Sequence, residues 1–120
     1  MKKFKYFSEW DFQRANPKCS IKDMDSQTLH MFDIARELAG IPFIVNSAYR
    51  DLAHEHSRGR DGSSSHVSGK AMDIRCQDSR SRFLIVNALI QAGFERIGIA
   101  NTFIHADNDE SKDDRVIWFY

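Results

Sequence analysis

Apolar residues recur at helical spacing in two segments of this chain. The first predicted helix begins at Asp25 or Ser26, which are good N-cap residues, and ends before Gly40. The second predicted helix begins after Asp78 and is closed by Gly93. The apolar residues expected on the buried faces are Leu29, Phe32, Ile34, Ala35 and Leu38 in the first helix and Phe83, Val86, Leu89 and Ile90 in the second.

Five short segments are rich in residues that favour strands. These predicted strands are residues 43–46, 71–76, 95–100, 103–107 and 116–119. The last three follow the second helix without further helices between them, which favours an α+β fold built on an antiparallel sheet with helices packed on it. Residues 51–65 are polar and contain glycine, so they are predicted to form a loop.

The N-terminal residues 1–24 are predicted to be irregular and to wrap around the core. The aromatic residues expected to make that contact are Phe4, Phe7, Trp10 and Phe12. At 120 residues the chain has room for one domain, spanning residues 1–120, and no second core. We expect this domain to be a monomer.

The charge balance and the apolar content exclude two classes of partner. The chain has 17 basic and 17 acidic residues, and this balance argues against a nucleic-acid-binding protein. No apolar run approaches the roughly 20 residues needed to cross a bilayer, so we expect no membrane insertion.

The start of the chain and its two cysteines indicate the compartment. The basic first residues are not followed by an apolar core, so no secretory signal peptide is predicted. Cys19 and Cys76 have neither metal-ligand spacing nor the number required for a disulfide framework, and we interpret them as reduced thiols. We therefore expect the protein to be cytoplasmic at synthesis.

Residues 64–74, with the sequence S-S-H-V-S-G-K-A-M-D-I, carry the strongest chemical signal in the chain. His66 and Asp73 stand seven residues apart, and imidazole and carboxylate are ligand types that zinc accepts. This separation suits a turn that brings both side chains together, and Gly69 supplies the backbone freedom for such a turn. A third ligand must come from elsewhere in the chain, and residues 103–107 offer His105.

This S-x-H-x-x-G-x-A-x-D-I motif, followed downstream by H-x-D, resembles the M15 family of zinc peptidases. Residues 46–50, N-S-A-Y-R, are similar to the S-x-Y-R segment of that family, and residues 93–98, G-F-E-R-I-G, to its G-F-x-x-I-G segment. Trp118 matches an aromatic position near the end, so the resemblance covers about residues 25–120. Members of the family are D-alanyl-D-alanine carboxypeptidases and L-alanyl-D-glutamate endopeptidases that cut the stem peptides of bacterial peptidoglycan.

The resemblance implies a compact α+β fold of the hedgehog and DD-peptidase type, with one zinc ion per chain in a cleft on the sheet. The expected zinc ligands are His66, Asp73 and His105. Three protein ligands and an open fourth position are typical of a catalytic zinc site. Two alternatives remain open: either His54 or His56 replaces His105, or Asp107 is the ligand and His105 assists it.

Peptide hydrolysis also needs a residue that carries a proton. Many family members have an acidic residue three positions before the last zinc histidine, where this chain has Thr102. Asp107 is the first candidate for the proton carrier because an alternating strand places it on the same face as His105. The next candidates, in the preceding loop, are His54, His56 and Glu55.

Three further residues are expected to contact the substrate. The resemblance implies that Arg50 holds a substrate carboxylate or the developing oxyanion, since a guanidinium makes two parallel hydrogen bonds to such a group. Ser64 is expected to contribute a hydroxyl, and Trp118 to form the floor of the cleft.

Two functions from different classes fit these residues. The first is zinc-dependent hydrolysis of a peptidoglycan stem peptide, either by a phage or prophage endolysin that reaches the cell wall after release or by a D-Ala-D-Ala carboxypeptidase. The second is a catalytically inactive, zinc-containing binding domain or virion structural domain. This function is favoured because position 102 carries threonine in place of an acidic residue.

Overall fold

Helices and strands alternate along most of this chain. The computed structural model describes residues 4–120, so residues 1–3 of the expected N-terminal wrap lie outside the described part. The elements in chain order are α1 (Glu9–Gln13), α2 (Ser26–Ala39), β1 (Val45–Ser47), α3 (Leu52–Ser57), β2 (Ala71–Arg75), α4 (Ser79–Gln91), β3 (Arg96–Ile99), β4 (Phe103–Asp107) and β5 (Val116–Phe119).

Capping residues explain where the two long helices begin and end. The Asp25 carboxylate accepts hydrogen bonds from the backbone N–H and the hydroxyl of Thr28, at 2.9 Å and 2.7 Å, in the first turn of α2. Gly40 ends this helix with a φ of +71°. The Asp78 carboxylate accepts a hydrogen bond from the Ser81 N–H at 2.8 Å at the start of α4. Both predicted helices are confirmed.

The faces that α2 and α4 bury differ in part from the expected ones. The residues expected to be buried but found exposed are Ile34, Leu38, Phe83 and Ile90. Successive residues of an α-helix are rotated by about 100°, so a residue two positions from a buried one faces away from the core. Ile34 lies two positions after the buried Phe32, and Phe83 lies two positions before the buried Ile85.

The five strands form one mixed sheet in the order β1-β2-β4-β3-β5. All neighbouring strands are antiparallel except β3 and β5, which are parallel, so the expectation of an antiparallel sheet is wrong at this edge. Both edges of β4 are occupied, by β2 and β3, so β5 does not pair with β4 and lies beside β3 instead. Residues 108–115 begin where β4 ends, and β5 therefore runs in the same direction as β3. Strands β4 and β5 have the predicted bounds, whereas β1 lies one to two residues beyond them.

Two segments predicted without helices contain short helical elements. Residues 1–24 include α1 and a 3-10 turn at Ile21–Asp23, so this segment is not irregular throughout. The Ser8 N–H donates to the Asp11 carboxylate at 2.9 Å, which stabilises the first turn of α1. Residues 51–65 include α3, capped by the Asp51 carboxylate. These helices are too short for apolar periodicity to reveal them.

The core lies between the helices and one face of the sheet. Alternate residues of the central strands, such as Met72 in β2 and Ile104 in β4, pack there. The expected aromatic contacts from the N-terminal segment are made by Phe4, Phe7 and Phe12, while Trp10 stays exposed. Within residues 4–120, no helix combines the length and apolar character needed to cross a membrane.

Candidate metal centre

Strands β2 and β4 bring two polar side chains together on the face of the sheet that points away from the core. Asp73 is paired directly with His105 in the antiparallel register, and the alternating neighbours Met72 and Ile74 point into the core. Both polar residues are buried, with 8% and 6% of their surface exposed. The Asp73 Oδ1 lies 2.9 Å from the His105 Nδ1, so each group offsets part of the cost of burying the other.

His66 reaches the same face from the turn that precedes β2. Its carbonyl oxygen accepts hydrogen bonds from the N–H groups of Arg50 and Gly69, each at 3.2 Å. Its Nδ1 lies 2.6 Å from the carbonyl oxygen of Ala48, which can only accept, so this nitrogen carries the hydrogen. The Nε2 is left as an acceptor 3.3 Å from the Asp73 Oδ1, and this is the tautomer that a ligand at Nε2 requires.

Gly69 is required in this turn for two reasons. Its φ of +73° lies in the left-handed region that glycine adopts without strain. A Cβ at this position would lie 2.4 Å from the carbonyl oxygen of Asp23 and 3.1 Å from the backbone nitrogen of Asp25. The Asp25 N–H also donates to the Gly69 carbonyl at 2.9 Å. The turn that carries His66 is therefore fixed directly to the start of α2.

We expect Gly69→Ala to lower the free energy of unfolding more than Gly40→Ala. Gly40 has a φ of +71° but open space where a Cβ would lie. Its replacement therefore measures only the cost of holding alanine in the left-handed conformation, about 1–2 kcal/mol. Gly69→Ala adds a collision with backbone atoms that cannot rotate away. Urea denaturation of both variants makes the comparison, and equal losses would mean that the turn accommodates a Cβ.

Three ligand atoms converge at this place. The residues are His66, Asp73 and His105, and one nitrogen or oxygen from each lies within 4.8 Å of the others. Ligand atoms that surround zinc tetrahedrally at about 2.0–2.1 Å are about 3.3 Å apart, close to the separations of 3.3 Å and 2.9 Å from the Asp73 oxygen to the two imidazoles. Two imidazoles and a carboxylate form a donor set that fits zinc and leaves a fourth position for water or substrate.

Asp107 lies on the far side of the His105 ring from Asp73. Its Oδ2 accepts a hydrogen bond from the His105 Nε2 at 2.7 Å. Its Oδ1 accepts from the Arg96 Nε at 2.8 Å and from the Asp109 N–H at 3.2 Å. Both oxygens of this buried carboxylate are therefore engaged, and the geometry suits a residue that orients a ligand histidine. It gives less support to the proton-carrier role expected from the sequence.

The alternative ligands lie outside the group of three. In the described part of the chain, the converging atoms include His105 and leave out Asp107. His54 and His56 lie in α3, half-buried and exposed respectively, and are also absent from the group. Thr102 is exposed in the turn before β4.

The electrostatics of the group suit a bound cation. Burial opposes ionisation of Asp73, but the hydrogen bond from His105 and the adjacent His66 imidazole outweigh it and hold the pKa of Asp73 well below its usual range. Burial also opposes protonation of His105, yet hydrogen bonds to Asp107 and Asp73 outweigh it and raise the pKa of His105. Two carboxylates thus surround one imidazole. A cation that binds the His105 Nδ1 has to displace a proton from it.

Arg50 lies beside the ligand group, against Asp73. Its Nε donates to the Ser47 hydroxyl at 3.0 Å, and one terminal nitrogen donates to the Asp73 Oδ2 at 3.3 Å. The other terminal nitrogen lies 3.6 Å from the Glu55 Oε1. The guanidinium is therefore held by three side chains, and 15% of the Arg50 side chain remains accessible to solvent.

Glu55 also belongs to this site, although the sequence indicated it only as an alternative to Asp107 for the proton carrier. It is 0% exposed, whereas the other residues of α3 are exposed or half-buried. Its Oε2 accepts a hydrogen bond from Arg60 at 2.6 Å, and its Oε1 faces Arg50 without a hydrogen bond. This arrangement supports the Arg50 guanidinium. Residues 51–65 showed no apolar pattern, so no sequence signal marked the burial of Glu55.

We expect Glu55→Gln to lower the free energy of unfolding by about 1–3 kcal/mol, because it removes the buried charge that faces Arg50. Glu95→Gln is the matched control, since Glu95 is exposed and takes part in no ion pair within residues 4–120. Thermal or urea denaturation gives both values. A loss no larger than that of the control would show that the Glu55 charge contributes nothing to the fold.

The two remaining sequence candidates lie on either side of the ligand histidines in the chain. The Ser64 hydroxyl oxygen accepts the His66 N–H at 3.2 Å, so it helps to fix the turn. The Trp118 ring is half-buried, 5.5 Å from the His105 ring. Gly98 is paired with both His105 and Trp118, and a Cβ there would lie 2.6 Å from the Trp118 Nε1. Gly98 therefore leaves the space that the indole occupies.

The fold and the site together define a class of protein: a single-domain α+β protein with a buried histidine–aspartate–histidine group that could hold a metal ion. Within that class the chain belongs to the Peptidase M15 family, whose sequence model matches residues 6–107. Peptidases of this family are zinc-dependent. No curated protein matches the chain.

Proposed function

We propose that the protein is a zinc-dependent peptidase that hydrolyses a peptide bond in the stem peptides of bacterial peptidoglycan, as a phage or prophage endolysin or as a D-Ala-D-Ala carboxypeptidase. The convergence of His66, Asp73 and His105 in a chain of the Peptidase M15 family is the observation that carries this proposal. The choice of substrate rests on the resemblance of residues 46–50 and 64–74 to enzymes of that kind.

Each residue of the site has a distinct role in this proposal. His66, Asp73 and His105 would hold the zinc, which when bound supplies a Lewis acid and an activated water. Asp107 keeps the hydrogen of His105 on Nε2, so that Nδ1 presents its lone pair to the ion. Arg50 offers hydrogen-bond donors to a substrate carboxylate or to the developing oxyanion.

Arg50→Lys is expected to lower kcat/KM on stem peptides by about 10–100-fold while the zinc content stays unchanged. Lysine keeps the charge but loses at least one charge-assisted hydrogen bond, worth about 1.5–3 kcal/mol. Arg58→Lys, at the exposed end of α3, is the control. Steady-state kinetics and metal analysis measure the two effects. Equal kcat/KM in the two variants would reduce Arg50 to a structural cation.

A catalytically inactive, zinc-containing binding or virion structural domain is the second candidate function. The observation that favours it is the lack of an assigned proton carrier, since Thr102 stands where many family members have an acid and both oxygens of Asp107 are engaged. Purified protein should be analysed for zinc and incubated with peptidoglycan, and mass spectrometry of the released fragments should identify the cleaved bond. Bound zinc without any cleavage would support this second candidate.

A further inference from the structure

A groove of about 910 Å³ runs along β1, which is the edge strand of the sheet beside β2. One of its walls comes from the N-terminal segment, including Tyr6 and Trp10, and another from β1 itself. Asp73 also lines the groove. The groove therefore adjoins the candidate metal centre at Asp73 and extends from there along the edge of the sheet.

Three arginines line this groove, and they come from separate parts of the fold. Arg14 follows α1, Arg36 lies in α2, and Arg75 ends β2. The Arg14 guanidinium lies 4.7 Å from the centre of the Trp10 ring, and the Arg36 guanidinium lies 4.2 Å from the centre of the Tyr6 ring. Aromatic rings thus hold two of the cations in place. Neither of these two guanidiniums donates a hydrogen bond to another residue among residues 4–120, so their edges can donate to a ligand.

These three arginines have no carboxylate partner within residues 4–120. The ion pairs of the described chain involve other residues, and the hydrogen bond of the Arg75 guanidinium goes to the neutral side chain of Gln77, at 3.1 Å. The two carboxylates in the groove are already engaged: Asp11 accepts the Ser8 N–H, and Asp73 contacts Arg50 and the ligand histidines. An arginine-lined groove without its own counterions suits an anionic ligand.

We propose that this groove binds the part of the substrate remote from the cleaved bond, by pairing Arg14, Arg36 and Arg75 with carboxylates of a peptide. The proposal rests on the peptidase function proposed above. A peptide is favoured over nucleic acid because the chain has no excess of basic residues, with 17 basic and 17 acidic ones. Planar carboxylates match the paired donors of guanidinium groups, and the exposed indole of Trp10 offers an apolar surface beside them.

The test compares two synthetic stem pentapeptides, one with a free carboxylate on its D-glutamate and one with that group as an amide. In the wild type, KM for the free carboxylate should be about tenfold lower, with similar kcat. The double variant Arg14→Gln/Arg36→Gln should lose this preference and keep its zinc. Arg80→Gln, which lies on α4 outside the groove, should keep both the preference and the zinc. Equal KM for the two peptides in the wild type would overturn the proposal.

Binding separates this proposal from the proposed activity. Titration calorimetry of the same two peptides should show tighter binding of the free carboxylate to the wild type, and the double variant should lose that difference. If the wild type binds in this way but cleaves neither peptide, the proposed role of the groove is supported and the proposed peptidase function is overturned. If the wild type and the double variant both cleave and bind the two peptides equally, the proposed role of the groove is overturned and the peptidase function is supported. Binding of inorganic phosphate or a DNA oligonucleotide in place of the peptides, lost in the double variant, would also overturn the proposal.

Discussion

His66→Ala should abolish stoichiometric zinc binding and remove the stabilisation that zinc gives to the wild type. The His66 Nε2 lies 3.3 Å from the Asp73 Oδ1, and the His66 Nδ1 donates its hydrogen to the Ala48 carbonyl. Alanine at this position therefore removes one of the three ligands. At a zinc concentration a hundred times the dissociation constant, a bound ion adds about 2.7 kcal/mol to the wild type. Metal analysis and melting curves with zinc and with a chelator measure both effects.

His56→Ala is the matched control for this experiment. His56 is exposed in α3, near the motif in sequence but outside the converging group. The control should retain one zinc ion per chain and melt at a higher temperature with zinc than with chelator. Zinc retained by His66→Ala, or lost by His56→Ala, would contradict the assignment of the ligands.

Asp107→Asn is expected to lower turnover about 10–100-fold and to weaken zinc binding by a comparable factor, as changes to partners of ligand histidines do. Both Asp107 oxygens accept hydrogen bonds, from His105 on one side and from Arg96 and the Asp109 N–H on the other. Asparagine has only one acceptor oxygen, so its amide nitrogen must face either His105 or Arg96, which are both donors, and one of these hydrogen bonds is lost. Turnover and zinc affinity should therefore fall together.

The size and pattern of this effect separate the two roles considered for Asp107. A proton carrier would lower turnover by about two to four orders of magnitude and leave zinc affinity unchanged. Asp109→Asn is the control, because the Asp109 side chain contacts Ser65 and Ser111 and makes no contact with His105. Its hydrogen bonds, chiefly from Ser111 and Ser65, outweigh burial and lower the pKa of Asp109 to about 2, so the control should be less stable with unchanged zinc affinity.

The sequence alone predicted those parts of the fold that depend on neighbouring residues. Asp25 and Asp78 mark the starts of the long helices because a cap needs only the next three residues. Gly69 was recognised as a turn residue, and the alternation in residues 103–107 placed His105 and Asp107 on one face. The motif at His66 and Asp73 led to the family, which the match over residues 6–107 then confirmed.

Tertiary structure alone decided how these local pieces meet. The parallel placement of β5 follows from its position beside β3, since both edges of β4 are occupied, and the exposure of Ile34 follows from the side on which α2 meets its neighbours. The position of Asp107 behind the His105 ring and the burial of Glu55 beside Arg50 depend on contacts between residues distant in sequence or in separate elements. The sequence by itself indicated which residues can bind a metal and where the caps of the two long helices lie, because those properties are local. Which of these residues converge, and which only support them, was decided by the packing of the strands and the turn at Gly69, because side-chain distances exist only in the folded chain.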